Sequence, residues 1–288
     1  VALITRVLDG APDAEMIMEC LQVAITLLQP LNKEVQNQFQ DHFTKHDSTG
    51  VFVSVLRLKE IVVDNVRRVR PIKFEAQSRR SLTQVEKELV EAFDETMHNF
   101  TLSLRFLQLL CEGHNLFMQE FMFHQTGSRK SVNIIQQTIT LFNRLSKVTE
   151  GFEHVDEVEG QCILQILEFL IEITTGPCAK NQAFLSTNGI IEHMMICARS
   201  RFSYLRQMNN DPYPELVREI KSRVFTLFNA MIEWRQDEVV HKNIIFRLNP
   251  YVLRRRVAAV YRWFLLKRMR EQPTWEFTGK VSSRFSKV

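Results

Sequence analysis

Asp156-Glu157-Val158-Glu159-Gly160-Gln161-Cys162-Ile163-Leu164-Gln165-Ile166-Leu167-Glu168-Phe169-Leu170-Ile171-Glu172-Ile173-Thr174 decides the fold class. Its apolar residues fall on most sides of a helix rather than alternating as in a strand, which marks a buried central helix. Gly176-Pro177 stops it. A helix greasy on most sides needs other helices around it, and the flanking sequence supplies them. Helices are expected over 13–29 (ended by Pro30), 33–45, 51–68, Ser81 toward His98, 102–110, Gly113 toward His124, 132–145, around Asn181 and Ile190, 211–234, near Ile244, and from Pro250 onward. Ser81 with Gln84 fits a capping box. No alternating run with hairpin turns occurs. Many helices with short connections predict an all-α, armadillo-like α-solenoid of stacked helix pairs, although no strict repeat period is visible.

The 288 residues carry only 9 Gly and 8 Pro, so turns are few and elements long. A formal net charge of +4 does not point to nucleic acid. The charge is uneven: eight Lys or Arg and no acid lie between Arg247 and Arg270. That basic helix, 250–270, suits an acidic partner or calmodulin, or packing on the solenoid with its arginines in solvent. Five scattered cysteines among apolar residues suggest a reducing compartment. No run of about 18 apolar residues offers a membrane span. No signal peptide opens the chain, and a start at Val1 without Met reads as a fragment of something larger.

Catalytic signatures are missing: the sequence has no GxSxG, no glycine-rich phosphate loop, no HExxH and no CxxC, and no EF-hand loop either. The chain is therefore expected not to be an enzyme. His42 and His46 sit one helical turn apart but lack a completing ligand, so a solvated face is the better reading than zinc. Cys111 beside His114 reads as a buried thiol near a helix end rather than a reactive one. Arg79-Arg80-Ser81-Leu82 resembles a kinase site; its plainer reading makes Ser81 a helix cap.

Leu104-Arg105-Phe106-Leu107-Gln108-Leu109-Leu110-Cys111-Glu112-Gly113-His114-Asn115 resembles a signature of the inositol trisphosphate and ryanodine receptor superfamily, in the domain that follows their shared homology region. Gln125-Thr126-Gly127 with Val132-Asn133-Ile134-Ile135, Gly176-Pro177-Cys178 with Asn181-Gln182, and Arg247-Leu248-Asn249-Pro250 follow in the family's order. Leu27-Leu28, Asn32 and Val35-Gln36 resemble the end of the preceding armadillo-like repeat, with Pro30-Leu31 in place of the usual glycines. The resemblance covers most of the chain and mixes features of both branches. It implies residues 1–68 as the end of a preceding armadillo-like repeat, 69–80 as a linker, 81–270 as the homology-associated helical domain and 271–288 as an irregular tail.

The resemblance further implies a cytosolic regulatory and coupling segment of a homotetrameric calcium-release channel, on the cytosolic face of the endoplasmic or sarcoplasmic reticulum. Its partners would be other domains of the same channel, above all the pore-proximal C-terminal one. It also implies a Ca2+ site to which Glu112 and Glu172 bring carboxylates, flanked by His114 and Thr175. Calcium takes six to eight oxygens, so two carboxylates make part of a site. Glu172 interrupts an apolar helix, where a carboxylate is costly unless it binds a cation, pairs with an arginine or reaches solvent. The rival to the channel segment is a free-standing armadillo-like scaffold that binds protein partners.

Overall fold

The computed structural model describes residues 1–271 except 11–13, 47–49, 78–80, 127, 129–130, 212–213 and 237. The described residues form α-helices and no strands, so the expected all-α solenoid is what the chain builds. Two compact units are present, Val1–Leu248 and Asn249–Val288. No described helix is long and apolar enough to cross a membrane.

The first unit is built from helices in threes rather than in pairs. The first trio is α1 (Ala2–Asp9), α2 (Ala14–Leu28) and α3 (Lys33–Lys45). The second is α4 (Gly50–Gln77), α5 (Gln84–Cys111) and α6 (Leu116–Phe121). The third is α7 (Ile134–Val148), α8 (Glu157–Glu172) and α9 (Ala179–Thr187). The fourth is α10 (Ile190–Arg199), α12 (Glu215–Ile232) and α13 (Glu238–Arg247), with the short α11 (Ser203–Met208) inserted before α12. Corresponding helices stack on one another. α2, α5, α8 and α12 pack in that order to form the central row, while α1, α4, α7 and α10 form a second row. α6 packs on α9 and α9 on α13. The central row carries the core: Phe100, Phe106, Leu107, Ile163, Ile166, Phe169 and Val224 are fully buried. Phe39, Phe43, Phe52, Phe106 and Phe121 join the first two trios through ring contacts of 5.2–6.1 Å. Each such ring contributes about 1.5–3 kcal/mol by leaving water.

Buried glutamines set the register between trios. Gln36 of α3 donates from Nε2 to the carbonyls of Leu109 (2.7 Å) and Glu112 (3.0 Å) at the end of α5. Gln119 of α6 does the same to Glu172 (2.7 Å) and Thr175 (2.9 Å) at the end of α8. Gln182 of α9 donates to Ala230 and Glu233, both at 2.9 Å, at the end of α12. The last carbonyls of a helix have no partner within it, so each trio's third helix satisfies the next trio's central one. Two facing carbonyls demand an NH2 group, which fixes the orientation of each amide.

Local sequence differs from expectation in three places, each with a cause. The linker expected at 69–80 is helical as far as Gln77, and 78–80 lie outside the described residues. Arg70 and Lys73 in it are held by acids rather than by water. Arg70 Nη1 reaches both carboxylate oxygens of Glu159 (2.8 and 2.9 Å), and its Nη2 donates to the His154 carbonyl (2.8 Å). Lys73 pairs with Asp94 and Asp156. The two helices expected over 81–98 and 102–110 are one, α5. Thr101 and Ser103 return their hydroxyls to the carbonyls of Met97 (2.9 Å) and Asn99 (2.8 Å) and so do not break it. Ser81 is exposed and is not the cap: Thr83 caps α5, with Glu86 as the reciprocal partner. Thr83→Ala is expected to lose about 1 kcal/mol in thermal denaturation and Ser81→Ala almost nothing.

In the second unit α14 (Pro250–Glu271) carries the basic stretch, with Tyr251, Val257 and Tyr261 exposed. The tail expected to be irregular lies, from 272 on, outside the described residues.

Candidate metal site between two helix ends

Glu112 is the C-terminal cap residue of α5, and Glu172 is the last residue of α8. α5 and α8 are neighbours in the central row. The glutamine contacts hold both residues by their own backbone: Gln36 fixes the Glu112 carbonyl and Gln119 the Glu172 carbonyl. Burial pushes the Glu172 carboxyl up from its usual value, and the nearby Glu112 carboxylate pushes it further. His114, the Gly113 N–H (which donates to the Glu172 carboxylate) and Arg105 pull it back.

Glycines make room for this approach. Gly113 has φ +74° and Gly176 φ +88°, a region that side chains avoid. The His114 ring lies against Gly176, where a Cβ would come within 2.3 Å of Nδ1. His114 is exposed and Thr175 half-buried, and the Thr175 hydroxyl donates to the Glu172 carbonyl (3.4 Å). Both residues thus flank the Glu112–Glu172 pair. Glu112 is not free: Arg105 Nη1 stands 3.5 Å from its Oε1. Among the described residues Glu172 forms no ion pair.

The trios let the site be checked against its own neighbours. Counting back from Gln119, Gln182 and the matching Val240, the residues that face Gln36, Gln119 and Gln182 are Leu109 and Glu112, Glu172 and Thr175, Ala230 and Glu233. The site takes the second residue of the α5 end and the first of the α8 end. The same two positions one step on are Thr175 and Ala230, neither of them acidic. Both positions are therefore acidic at this step and neither is at the next, so the pair is no by-product of the repeat.

Other candidates resolve differently. Cys111 is buried, and burial with Glu172 and Cys178 nearby pushes its thiol well above the ordinary value, so it is held as a neutral thiol. His42 and His46 have ring centroids 4.6 Å apart. Among the described residues no group of three or more His, Cys, Asp or Glu side chains is arranged to hold a metal. Glu112 and Glu172 can thus supply two anionic ligands but not a full coordination shell. Sequence reading missed Gln36 and Gln119. The shared spacing Asn32-x3-Gln36 and Asn115-x3-Gln119, an N-cap followed four residues on by glutamine, was the signal available.

Residues 94–197, which contain both glutamates, match the family model described as RyR and IP3R Homology associated. A stretch of 140 residues, 46% of the chain, is 32% identical to the inositol 1,4,5-trisphosphate receptor itr-1 of Caenorhabditis elegans. The match covers 5% of that receptor's length.

Proposed function

We propose that this chain, which is similar over residues 94–197 to the RyR and IP3R homology-associated family, is a cytosolic regulatory segment of an intracellular calcium-release channel, acting by binding rather than by catalysis. In this reading Glu112 and Glu172 bring carboxylates to a shared Ca2+ site, and the oxygens still needed come from another domain of the same tetrameric channel near the pore. The observation that carries the reading is the Glu112–Glu172 pair itself. Two carboxylates lie at neighbouring helix ends with their backbones pinned, and burial together with the Glu112 charge raises Glu172.

Calcium is a hard cation that relieves such repulsion. An incomplete half-site also explains gating without chemistry. The ion binds best when the second domain closes on the first, so it shifts the population toward that arrangement. His114 and Thr175 position the pair, His114 by packing on Gly176 and Thr175 through the Glu172 carbonyl. The basic helix 250–270 is the surface we assign to an acidic partner, calmodulin among them.

Recording the opening of the parent channel against calcium tests this. Glu172→Gln is expected to raise the calcium concentration for half-maximal opening at least about tenfold, ~1.4 kcal/mol. Glu112→Gln should act in the same direction, and the isolated chain should bind calcium weakly. Acid should mimic the substitution: a carboxyl with a raised pKa takes a proton at higher pH than usual, so calcium sensitivity falls as pH falls, and Glu172→Gln removes that dependence. An unchanged calcium response in both variants would overturn the assignment.

A further inference from the structure

Several cations of the first unit have an acid beside them: Arg105 meets Glu112, Arg223 meets Glu168 and Arg247 meets Glu192. One face departs from that. α4 packs on α7, and Arg67 of α4 with Arg144 and Lys147 of α7 lines an open depression of about 540 Å³ between them. Among the described residues none of these three forms an ion pair. The charges that could offset them are engaged elsewhere. Glu159 is held by Arg70, and Glu150, the acid among the described lining residues, stands 3.3 Å from His154 through its Oε2.

Lysines and arginines in open water need no partner, and that describes Arg67 and Lys147, which are exposed. Arg144 is different. It is half-buried, and its Nε is shut away from water with no acceptor among the described residues. A cation partly stripped of water is costly unless an anion comes to it, and two further cations beside it raise that cost. The positive field reaches α10 as well: burial first, and then the Lys147 charge, hold the His193 imidazole below its ordinary value.

We propose that this depression binds a soluble anion with two linked phosphate groups, held by the Arg67 and Arg144 guanidinium groups and the Lys147 ammonium. Charge and geometry carry the assignment. A phosphate group brings about −1.5 to −2 charges, so a diphosphate balances three cations where a single carboxylate does not. Guanidinium forks take phosphate oxygens in pairs, and a lysine adds a point charge. All three side chains stand on helices already packed together, so little order has to be imposed on binding. Pro71 and Val148 give an apolar wall for whatever carries the phosphates. Because α4 belongs to the second trio and α7 to the third, the bound anion fastens one trio to the next. The inference does not rest on the calcium reading.

Calorimetric titration of the 288-residue chain with inorganic pyrophosphate, at a salt concentration of about 0.1 M, tests it. The expected result is saturable binding at a single site, weakened at least about tenfold when Arg67→Gln and Lys147→Gln are combined. Both side chains are exposed, so the fold survives, which helical circular dichroism checks. Arg144→Gln should weaken binding in the same direction. Lys87→Gln, at an exposed cation near the start of α5, should leave it unchanged. Absence of saturable binding overturns the inference, and so does an equal loss with Lys87→Gln. Sulfate binding as tightly as pyrophosphate would make the face a general anion patch and also overturns it. Displacement of pyrophosphate by a polyglutamate peptide of the same total charge, at equal concentration, would assign the face to an acidic protein segment instead. Binding to anionic phospholipid vesicles without binding of pyrophosphate would assign it to a membrane.

Discussion

Arg70→Met destabilises the protein by about 3–4 kcal/mol at pH 9, and by only about 1 kcal/mol near pH 5. Arg70 and Glu159 are both buried, with side chains 9% and 1% exposed, and the guanidinium meets both carboxylate oxygens. Removing the cation leaves an anion where water cannot reach it. Burial and the Asp156 charge already hold the Glu159 carboxyl up at about 7 against the pull of Arg70. Without Arg70 it rises further. A carboxyl whose pKa is higher in the fold than in the unfolded chain favours the fold only while protonated. The loss is therefore small near the unfolded value of ~4.5 and grows as pH rises through the folded one. The remainder at pH 5 is the lost hydrogen bond to the His154 carbonyl. Urea denaturation at the two pH values checks this. Equal losses at both would mean that the cost lies in packing and not in the stranded charge. Replacing Glu159 as well with an apolar residue should recover much of the loss, since a buried pair is worth little against a packed apolar one.

That pair also shows where sequence reading stops. Basic residues around a proline look like an exposed linker, because composition does not reveal that Glu159, 89 residues on, and Asp156 will face them. Pro71 misleads for a related reason: its missing N–H ends most helices, but packing on α5 and α7 keeps α4 helical to Gln77. The helix ends that did read correctly, at Pro30, Gly113 and Gly176-Pro177, are those where the backbone itself forbids continuation. The two glutamates were legible as a pair only through the family motif. From the residues alone Glu172 fitted an arginine partner or solvent as well as a cation, and it is Glu112 that has the arginine. The trios were hidden because their lengths differ and because Cys178 stands where Asn32 and Asn115 cap the earlier third helices. A search for a fixed period had nothing to find.

Gln119→Leu should cost about 2–4 kcal/mol, because it leaves two helix-end carbonyls in a closed interface with nothing to accept from. Leucine fills nearly the same volume, so packing is a minor part of the loss. Gln182→Leu makes the same change one step along, at the end of α12, and should cost a similar amount. The two differ in what they hold. Gln119 grips Glu172 and Thr175 by the backbone, whereas Gln182 grips Ala230 and Glu233, neither of them a proposed calcium ligand, and touches the site only through the Glu233 carboxylate, which accepts from the Gly176 N–H (3.3 Å). If calcium is read by carboxylates that the glutamines keep in place, Gln119→Leu weakens the calcium response of the parent channel while Gln182→Leu, equally destabilised, leaves it near normal. Chemical denaturation of the chain gives the first comparison, and calcium titration of opening gives the second. Equal calcium responses in the two variants would separate stability from sensing and leave the glutamines a purely architectural role.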